Sequence, residues 1–276
     1  MNPPEESAAG RVVITRTIIG SLAPVTIRQP TGTYALTPAS RITLRTIADH
    51  RELFNGVGID WGCGTGCLAI VAAKLPAVKR VIGLDKIELN VDVAERNAIE
   101  NGCSSKAVFL HSDSYLPSTA AGRKMLDELV GSLDFVVANP PASPGDDGFS
   151  FRRLVLSGAR ELLKDGAVAL LQISIQYGTT RIERLASETP GFTHEKMVGS
   201  SDWVEFDQGR SDLRHQLEEY AIEEQRGGIK YAFGDPRRHG QSSINAREAL
   251  DLFQETGVSP LTQWQVHLYR FRRAAV

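Results

Sequence analysis

At 276 residues, 42% of them hydrophobic and 23% charged, the chain suits one large globular domain, or one domain with additions, and is too apolar for a disordered polymer. A net charge of −2 gives no global basic field of the kind that announces nucleic acid, which leaves only a local basic patch for that role. The cysteines, Cys63, Cys67 and Cys103, are odd in number and lack metal-ligand spacing, so no metal site is expected and a reduced compartment fits them. The polar start MNPPEESAAG is no signal peptide and no apolar run is long enough to cross a bilayer; a soluble, cytoplasmic protein with no membrane partner is expected.

Residues 1–10 are polar and lack apolar periodicity, which predicts disorder. Arg11 to Ile19 and Val25 to Arg28 carry β-branched residues around Gly20 and Pro24 and read as short strands forming a hairpin. A turn-rich segment, Gln29 to Pro38, leads into a helix from Ala39 to about His50, with Pro38 at its start. Strand and helix then alternate, as in a parallel sheet covered on both faces. Gly58 to Asp60 ends the first strand, Cys67 to Leu75 is a helix, and Arg80 to Asp85 is a second strand. Ile87 to Asn101 carries Leu89, Val93, Ala94 and Ala98 at helical spacing and closes on Gly102. Ala107 to Leu110 is the third strand, Arg123 to Val130 a helix, and Leu133 to Ala138 the fourth strand, which runs into Asn139-Pro140-Pro141. Phe151 to Lys164 reads as a helix, Ala167 to Ile175 as the fifth strand, and Thr180 to Ser187 as a helix. Phe192 to Phe206 is one extended strand or two, and Leu261 to Phe271 a final edge strand. Residues 207–260 lie between these two, with helices expected over Leu213 to Glu224 and Ala246 to Thr256. An insertion of this size is expected to shape a substrate site or act as a lid. The domain boundaries expected are 1–50 for an N-terminal extension and 51–276 for the main domain.

The stretch that organises the chain is Val57 to Ala69, VGIDWGCGTGCLA. Glycines at a strand-to-helix turn accept backbone angles that other residues avoid and clear side chains from a ligand's path. The spacing here is G-x-G-x-G, with Asp60 two residues before the first glycine, and not the G-x-G-x-x-G of dinucleotide sites. The polar residues Asp60, Asp85, Asp113 and Asn139 each follow a strand, where ligands of open parallel sheets sit. Together they suggest a nucleoside-bearing ligand.

This pattern resembles the class I S-adenosylmethionine (SAM) methyltransferases over roughly Thr33 to Tyr177. The resemblance implies an α/β, Rossmann-like, seven-stranded sheet, mostly parallel with an antiparallel last strand, a short N-terminal β extension and an insertion before the last strand. It implies that SAM binds and S-adenosylhomocysteine leaves. Gly62, Cys63, Gly64 and Gly66 would curl under the methionine part, with Asp60 behind them. Asp85 would hold both ribose hydroxyls, Asp113 and Ser114 the adenine amine, and Lys86 would flank the adenine. Tyr34 and Thr37 lie on the segment that covers SAM in relatives.

Asn139-Pro140-Pro141-Ala142 resembles the N-P-P-[YF] motif of enzymes that methylate a planar nitrogen. Such a nitrogen has a delocalised lone pair and attacks poorly, so positioning matters. Oxygen acceptors on Asn139 and Pro140 could each take one N–H, and prolines hold the turn rigid. Further motifs, Ser112-Asp-Ser-Tyr115, Gly145-Asp-Asp-Gly-Phe149, Phe151-Arg-Arg153 and Leu162-Leu-Lys-Asp-Gly166, resemble the HemK/PrmC glutamine methyltransferases and the "small methyltransferase" domain. Three departures stand out. Ala142 replaces the stacking aromatic, so Phe149, Phe151 or Trp203 would substitute; Pro38-Ala-Ser-Arg41 stands where that family has P-E-T-E; and only about fifty residues precede the sheet.

These features lead to an N-methyltransferase reading. A small molecule is the first-ranked acceptor, a nucleic acid base the second and a protein side chain such as glutamine the third. A base would need a basic surface, for which Arg152, Arg153, Arg237, Arg238, His239, Arg270, Arg272 and Arg273 are the candidates. His239 is also a candidate substrate contact. A non-catalytic SAM-binding subunit and a nicotinamide-dependent oxidoreductase are the readings from other classes.

Overall fold

The chain's structure is a computed structural model that describes residues 10–33, 36–143 and 147–273. Its β-branched start forms β1 (Arg11–Ile14) and β2 (Val25–Arg28), an antiparallel pair with Arg11 opposite Arg28. Between them Arg16–Ile19 is not strand but a helical turn, α1, entered through Thr15. Four apolar side chains of this unit, Ile14, Ile19, Val25 and Ile27, are fully buried, while Val13 faces solvent. Next comes α2 (Pro38–Asp49), whose start is well specified. Thr37 and Ser40 form a reciprocal capping box and proline occupies the first turn.

The alternating core follows as β3 (Gly56–Trp61), α3 (Cys67–Ala73), β4 (Val78–Asp85), α4 (Glu88–Glu100), β5 (Ala107–Asp113) and the two-residue β6 (Leu116–Pro117). Then come α5 (Ala120–Asp127), β7 (Leu133–Ala138), α6 (Ser150–Leu162), β8 (Leu163–Gln172), α7 (Gly178–Glu188) and β9 (Phe192–Ser200). α5 starts three residues before the expected position because Thr119 caps it, accepting from the Gly122 N–H.

The sheet order is β6-β5-β4-β3-β7-β8, then the closing strand β14 (Gln265–Phe271), then β9. β3, β4, β5, β7 and β8 are parallel, and β14 runs antiparallel to both its neighbours. The expected seven strands are present, with the short β6 added antiparallel to β5. One position differs. β14 is interior, and β9 takes the edge. The burial of six of the seven β14 residues suits a strand covered on both sides, whereas β9 carries Thr193, Glu195 and Lys196 outward.

Both faces of the sheet are covered. Along β7, Phe135 and Val137 join the core made by α2, α3 and the N-terminal unit, while Val136 and Ala138 join the core under α6 and α7. Two strand glycines make room for aromatic rings: a Cβ at Gly58 would lie 2.2 Å from the Phe135 ring, and one at Gly83 2.4 Å from Phe109. β2 docks on α4 through two asparagines. Asn101 accepts from Thr26 N–H and donates to Thr26 O, and Asn97 does the same with Arg28.

The segment between β9 and β14 forms a small unit of its own. It contains β10 (Val204–Glu205), α8 (Ser211–Gln225), β11 (Phe233–Gly234), β12 (Ser243–Ile244), α9 (Ala246–Thr256) and β13 (Leu261–Thr262), with the four short strands in the order β10-β13-β11-β12. Inside it Tyr220 stacks on Tyr231 at 4.0 Å. It is tied to the turn that follows β8, where the Tyr220 and Tyr177 hydroxyls are 2.9 Å apart and Thr262 Oγ1 donates to Gln176 Oε1 at 2.6 Å. Arg181, fully buried, lies 3.8 Å over the Tyr231 ring and pairs with Glu223. Among the described residues no helix is long and apolar enough to cross a membrane.

Candidate active site

The carboxyl ends of β3, β4, β5 and β7 surround a cavity of about 270 Å³, closed on one side by α6. The glycine turn after β3 forms its floor. Gly62, Gly64 and Gly66 have φ of 69°, 52° and 84°, left-handed values that strain any other residue. A Cβ at Gly62 would meet nothing within 4 Å, so open space faces the backbone there. The turn is tied to β4, because the Gly62 and Cys63 N–H groups both donate to Leu84 O.

Asp85, buried at the end of β4, is the hub of the cradle. Its Oδ2 accepts from Gly64 N–H at 2.8 Å, and its Oδ1 accepts from Ile87 N–H at 2.9 Å and Asn90 Nδ2 at 3.0 Å. Three of about four acceptor positions on the carboxylate are therefore filled. One remains, on Oδ2, which suits one ligand hydroxyl where two were expected. At the end of β5, Ser114 adopts φ 54°, unusual for a residue with a side chain. It is held there from two sides, by Ser112 Oγ donating to its carbonyl at 2.7 Å and by the Trp61 indole donating to its hydroxyl at 2.9 Å. Asp113, Ser114 and Lys86 all line the cavity.

The N-P-P turn forms the opposite wall. Asn139 Nδ2 donates to Ser40 Oγ at 3.1 Å, and Asn139, Pro140 and Pro141 line the cavity. Of the aromatics expected to stand in for the one Ala142 lacks, Phe151 lines the cavity, 6.4 Å from Trp61 and tilted to it. Phe149 is instead a core residue, in edge contact with Tyr177. Ala142 packs against the apolar core. Trp203 sits in the small unit, where Gly234 and Gly240 pack on its ring, and His239 is exposed there; neither lines the cavity.

Several expected cofactor residues do not line the cavity. Asp60 is fully buried, and its Oδ2 accepts from Ala69 N–H at 2.9 Å while Oδ1 has no hydrogen-bond partner among the described residues. Burial, with a smaller push from Asp85, raises its pKa to about 7 against the opposing Ala69 hydrogen bond. Cys63 and Gly66 pack inside the turn, and burial pushes the Cys63 thiol well up and Cys67 to about 12, so both stay protonated. Thr37 caps α2 and touches Ser40, which in turn touches Asn139. Tyr34 lies outside the described residues, as do Gly145 and Asp146 of the motif after N-P-P. Sequence reasoning missed Trp61, Leu84, Ile87 and Leu154, which supply much of the apolar wall, and Asn90, which donates to Asp85. Position could have found Trp61 and Leu84, each one residue from a recognised polar strand end, but not Leu154, which comes from α6.

The lining is compatible with a nucleoside-bearing ligand such as SAM: apolar faces, a free acceptor position on Asp85 and open backbone at Gly62 are present in one cavity. The basic surface considered for nucleic acid is mostly neutralised. Arg152 is buried; Arg153 pairs with Asp147 and Glu188, Arg237 with Asp235, Arg270 with Glu195, and Arg272 with Asp165.

Strand order and site place the chain among Rossmann-like methyltransferase folds. A solved methyltransferase from Pyrococcus furiosus shares that fold, at TM-score 0.50 and 15% identity over 93% of this chain and 92% of the other. The family model for ribosomal protein L11 methyltransferase (PrmA) matches residues 31–211, close to two thirds of the chain, and the chain belongs to that family. Among curated relatives, a release factor glutamine methyltransferase of Chlorobaculum tepidum is 29% identical over 137 residues, 42% of this chain and 44% of that protein. A ribosomal protein L11 methyltransferase of Photobacterium profundum is 42% identical over 84 residues, 30% of this chain and 27% of the other. The chain thus spans less than half the length of these relatives.

Proposed function

We propose that this protein is a SAM-dependent N-methyltransferase whose acceptor is a nitrogen carried by another protein. The observation that carries the reading is the shared cavity: the Asp85 and glycine cradle forms one wall and Asn139-Pro140-Pro141 the other. When bound, SAM supplies an electrophilic methyl group on a sulfonium. The chain's own residues do the rest. Asp85, Asp113, Ser114 and Lys86 hold the nucleoside, and the Gly62–Gly64 backbone carries the methionine part. Ser40 holds Asn139 Nδ2, so that Asn139 Oδ1 is left to accept an N–H of the incoming nitrogen. Fixing that nitrogen can supply roughly 7–11 kcal/mol in well-oriented systems, without a strong base.

The acceptor class rests on the relatives' names and on the site's surroundings. Relatives are named for ribosomal protein L11 and for a release factor, which supports a protein acceptor over the small molecule ranked first from sequence. Ion pairing along the arginines weakens the nucleic acid reading. In this reading residues 1–50 are an extension of the 51–276 methyltransferase domain, and residues 207–260 wall the acceptor side. A groove of about 680 Å³ between Ser143 and Asp147 on one side and α8 on the other is where a polypeptide would lie.

Calorimetry with S-adenosylhomocysteine tests the cofactor half. Binding is expected to fall more than about a hundredfold in Asp85→Ala, which loses charge-assisted hydrogen bonds, and to stay within a few fold in Asn139→Ala. Tritiated SAM with purified ribosomal protein L11 and release factor then tests the acceptor. No binding by the wild type would overturn the methyltransferase reading; binding with label found only in small molecules would overturn the acceptor class.

A further inference from the structure

Arg152, the second residue of α6 to carry a ring or charge, is 2% exposed yet has no carboxylate partner among the described residues. Its guanidinium is held by carbonyls. Nε donates to Gln172 O at 3.1 Å, Nη1 to Gly148 O at 2.9 Å and to Pro141 O at 3.3 Å, and Nη2 to Pro140 O at 3.2 Å. The cation also lies 5.2 Å from the Phe149 ring centroid and 5.1 Å from that of Tyr177. A buried cation is costly, and an apolar residue of similar shape would pack the same space more cheaply if packing were all that mattered. What a guanidinium adds is a rigid fork with five donors. Here the fork grips both proline carbonyls of the turn that walls the cavity, and it joins the start of the following loop to its end at Gly148.

We propose that Arg152 is a positioning residue for the N-P-P turn: it fixes the direction of the Pro140 and Pro141 carbonyls from inside the core, so that the acceptor-side oxygens meet the incoming nitrogen in one geometry. The proposal rests on the N-methyltransferase reading and adds a residue that touches neither cofactor nor acceptor. A carbonyl oxygen has two lone pairs, so a Pro140 oxygen bonded to Arg152 keeps one for a ligand N–H. Prolines remove the backbone N–H and fix φ, but they leave ψ free. Carbonyl direction depends on ψ, and Arg152 supplies the constraint that the prolines lack.

The test needs no acceptor. Sinefungin is a SAM analogue with a protonated amine on carbon where SAM carries its methyl sulfonium, so its N–H groups sit where the acceptor-side oxygens point. S-adenosylhomocysteine has no donor there. The ratio of the two affinities therefore reads the N-P-P oxygens, and a merely structural loss would weaken both ligands alike. The wild type is expected to prefer sinefungin. Arg152→Met is expected to keep S-adenosylhomocysteine binding within a few fold while the preference falls on the order of tenfold, the loss of a charged hydrogen bond. Arg152→Lys, which keeps the charge but not the fork, is expected to fall between the two and serves in its place if Arg152→Met does not fold. An unchanged or increased preference in the variants, against a clear wild-type preference, overturns the role of Arg152 alone. No preference in a wild type that binds S-adenosylhomocysteine overturns the acceptor reading of the turn, and this proposal with it.

Discussion

The two halves of the cavity are built in different ways. The cofactor half is drawn from one continuous stretch, Gly56 to Ser114, in which each strand delivers one polar group at its end and backbone N–H groups do much of the holding. The acceptor half is assembled from distant pieces: Ser40 on α2, Asn139 to Pro141, Arg152 on α6, and Gln172 at the end of β8. Its order comes from side chains reaching across the fold. Local turn geometry thus prepares one wall and tertiary contact prepares the other.

Two ionisable groups, Asp60 behind the glycine turn and His267 on β14, are pushed toward their neutral forms by burial, with opposite consequences for stability. In the cofactor half, the Asp60 pKa of about 7 lies above its unfolded value near 3.8, so the folded state holds a proton that the unfolded state releases. Stability from this group is full at low pH and is lost as pH rises from about 4 to 7. On β14, burial first, then the His194 and Arg152 charges, lowers the His267 pKa to about 3 from 6.5. In the neutral ring Nε2–H can donate to Gln265 Oε1 at 3.2 Å while Nδ1 accepts from His194 Nε2 at 3.1 Å, so both ring nitrogens have partners without a buried charge. Stability from His267 is full above about 6.5 and is lost as pH falls toward 3. Each shift of three units or so is worth about 4 kcal/mol. Urea unfolding across pH 3.5–8 checks this. Relative to wild type, Asp60→Asn should gain stability as pH rises through 4–7, and His267→Asn should gain it as pH falls below 6.5. Parallel curves for the two variants would break the contrast.

This difference in construction explains what the sequence revealed. Asp60, the glycines, Asp85, Asp113 and Asn139 were legible because each marks a strand end in a recognisable order, and position in an alternating fold determines which end of the sheet they share. The Trp61 and Leu154 walls were not, since an apolar residue beside a strand end looks like any core residue and an apolar residue on a helix does not show which cavity it will line. Arg152 was read as a surface cation, because nothing local reveals that Pro140, Pro141 and Gln172 will surround it. The interior place of β14 was hidden because QVHLYRF alternates apolar residues with Gln265, His267 and Arg270, as an edge strand would, and only the fold shows that Gln265 and His194 partner the buried His267. The segment 207–260 showed its helices, Leu213 to Glu224 and Ala246 to Thr256, in the spacing of apolar residues, but not its two-residue strands, which are too short to show a period.

Two glycines with nearly the same backbone sharpen the comparison further. Gly66, at the start of α3, has φ 84°, and Gly227, after α8, has φ 85°. A Cβ at Gly66 would sit 2.9 Å from both Ala94 Cβ and the Phe109 ring, whereas one at Gly227 would meet nothing within 4 Å. Alanine at Gly227 should therefore cost only the left-handed strain, roughly 1–2 kcal/mol. At Gly66 the overpacking adds roughly 1–3 kcal/mol more, and the displaced turn should weaken S-adenosylhomocysteine binding. Thermal unfolding and calorimetry of the two variants give the measure. Equal losses would mean that the glycine turn is no more tightly packed than the distal loop.

The smallest effect tests where the halves meet, at Ser40. Its hydroxyl receives Asn139 Nδ2 and closes the capping box with Thr37. Ser40→Ala leaves the main cap in place, because Thr37 Oγ1 still accepts from the residue-40 N–H. What it removes is the partner that holds the Asn139 amide in one orientation. The expected loss is about 1 kcal/mol, a few-fold drop in sinefungin affinity with S-adenosylhomocysteine binding unchanged. Thr37→Ala is the control, since it removes the cap, worth about 1 kcal/mol of stability, while leaving the Asn139 contact in place. It should lower the melting temperature more than Ser40→Ala and change the ligand preference less. If Ser40→Ala instead weakened both ligands equally, α2 would be supporting the cavity as a whole, and Asn139 would owe its orientation to the N-P-P turn alone.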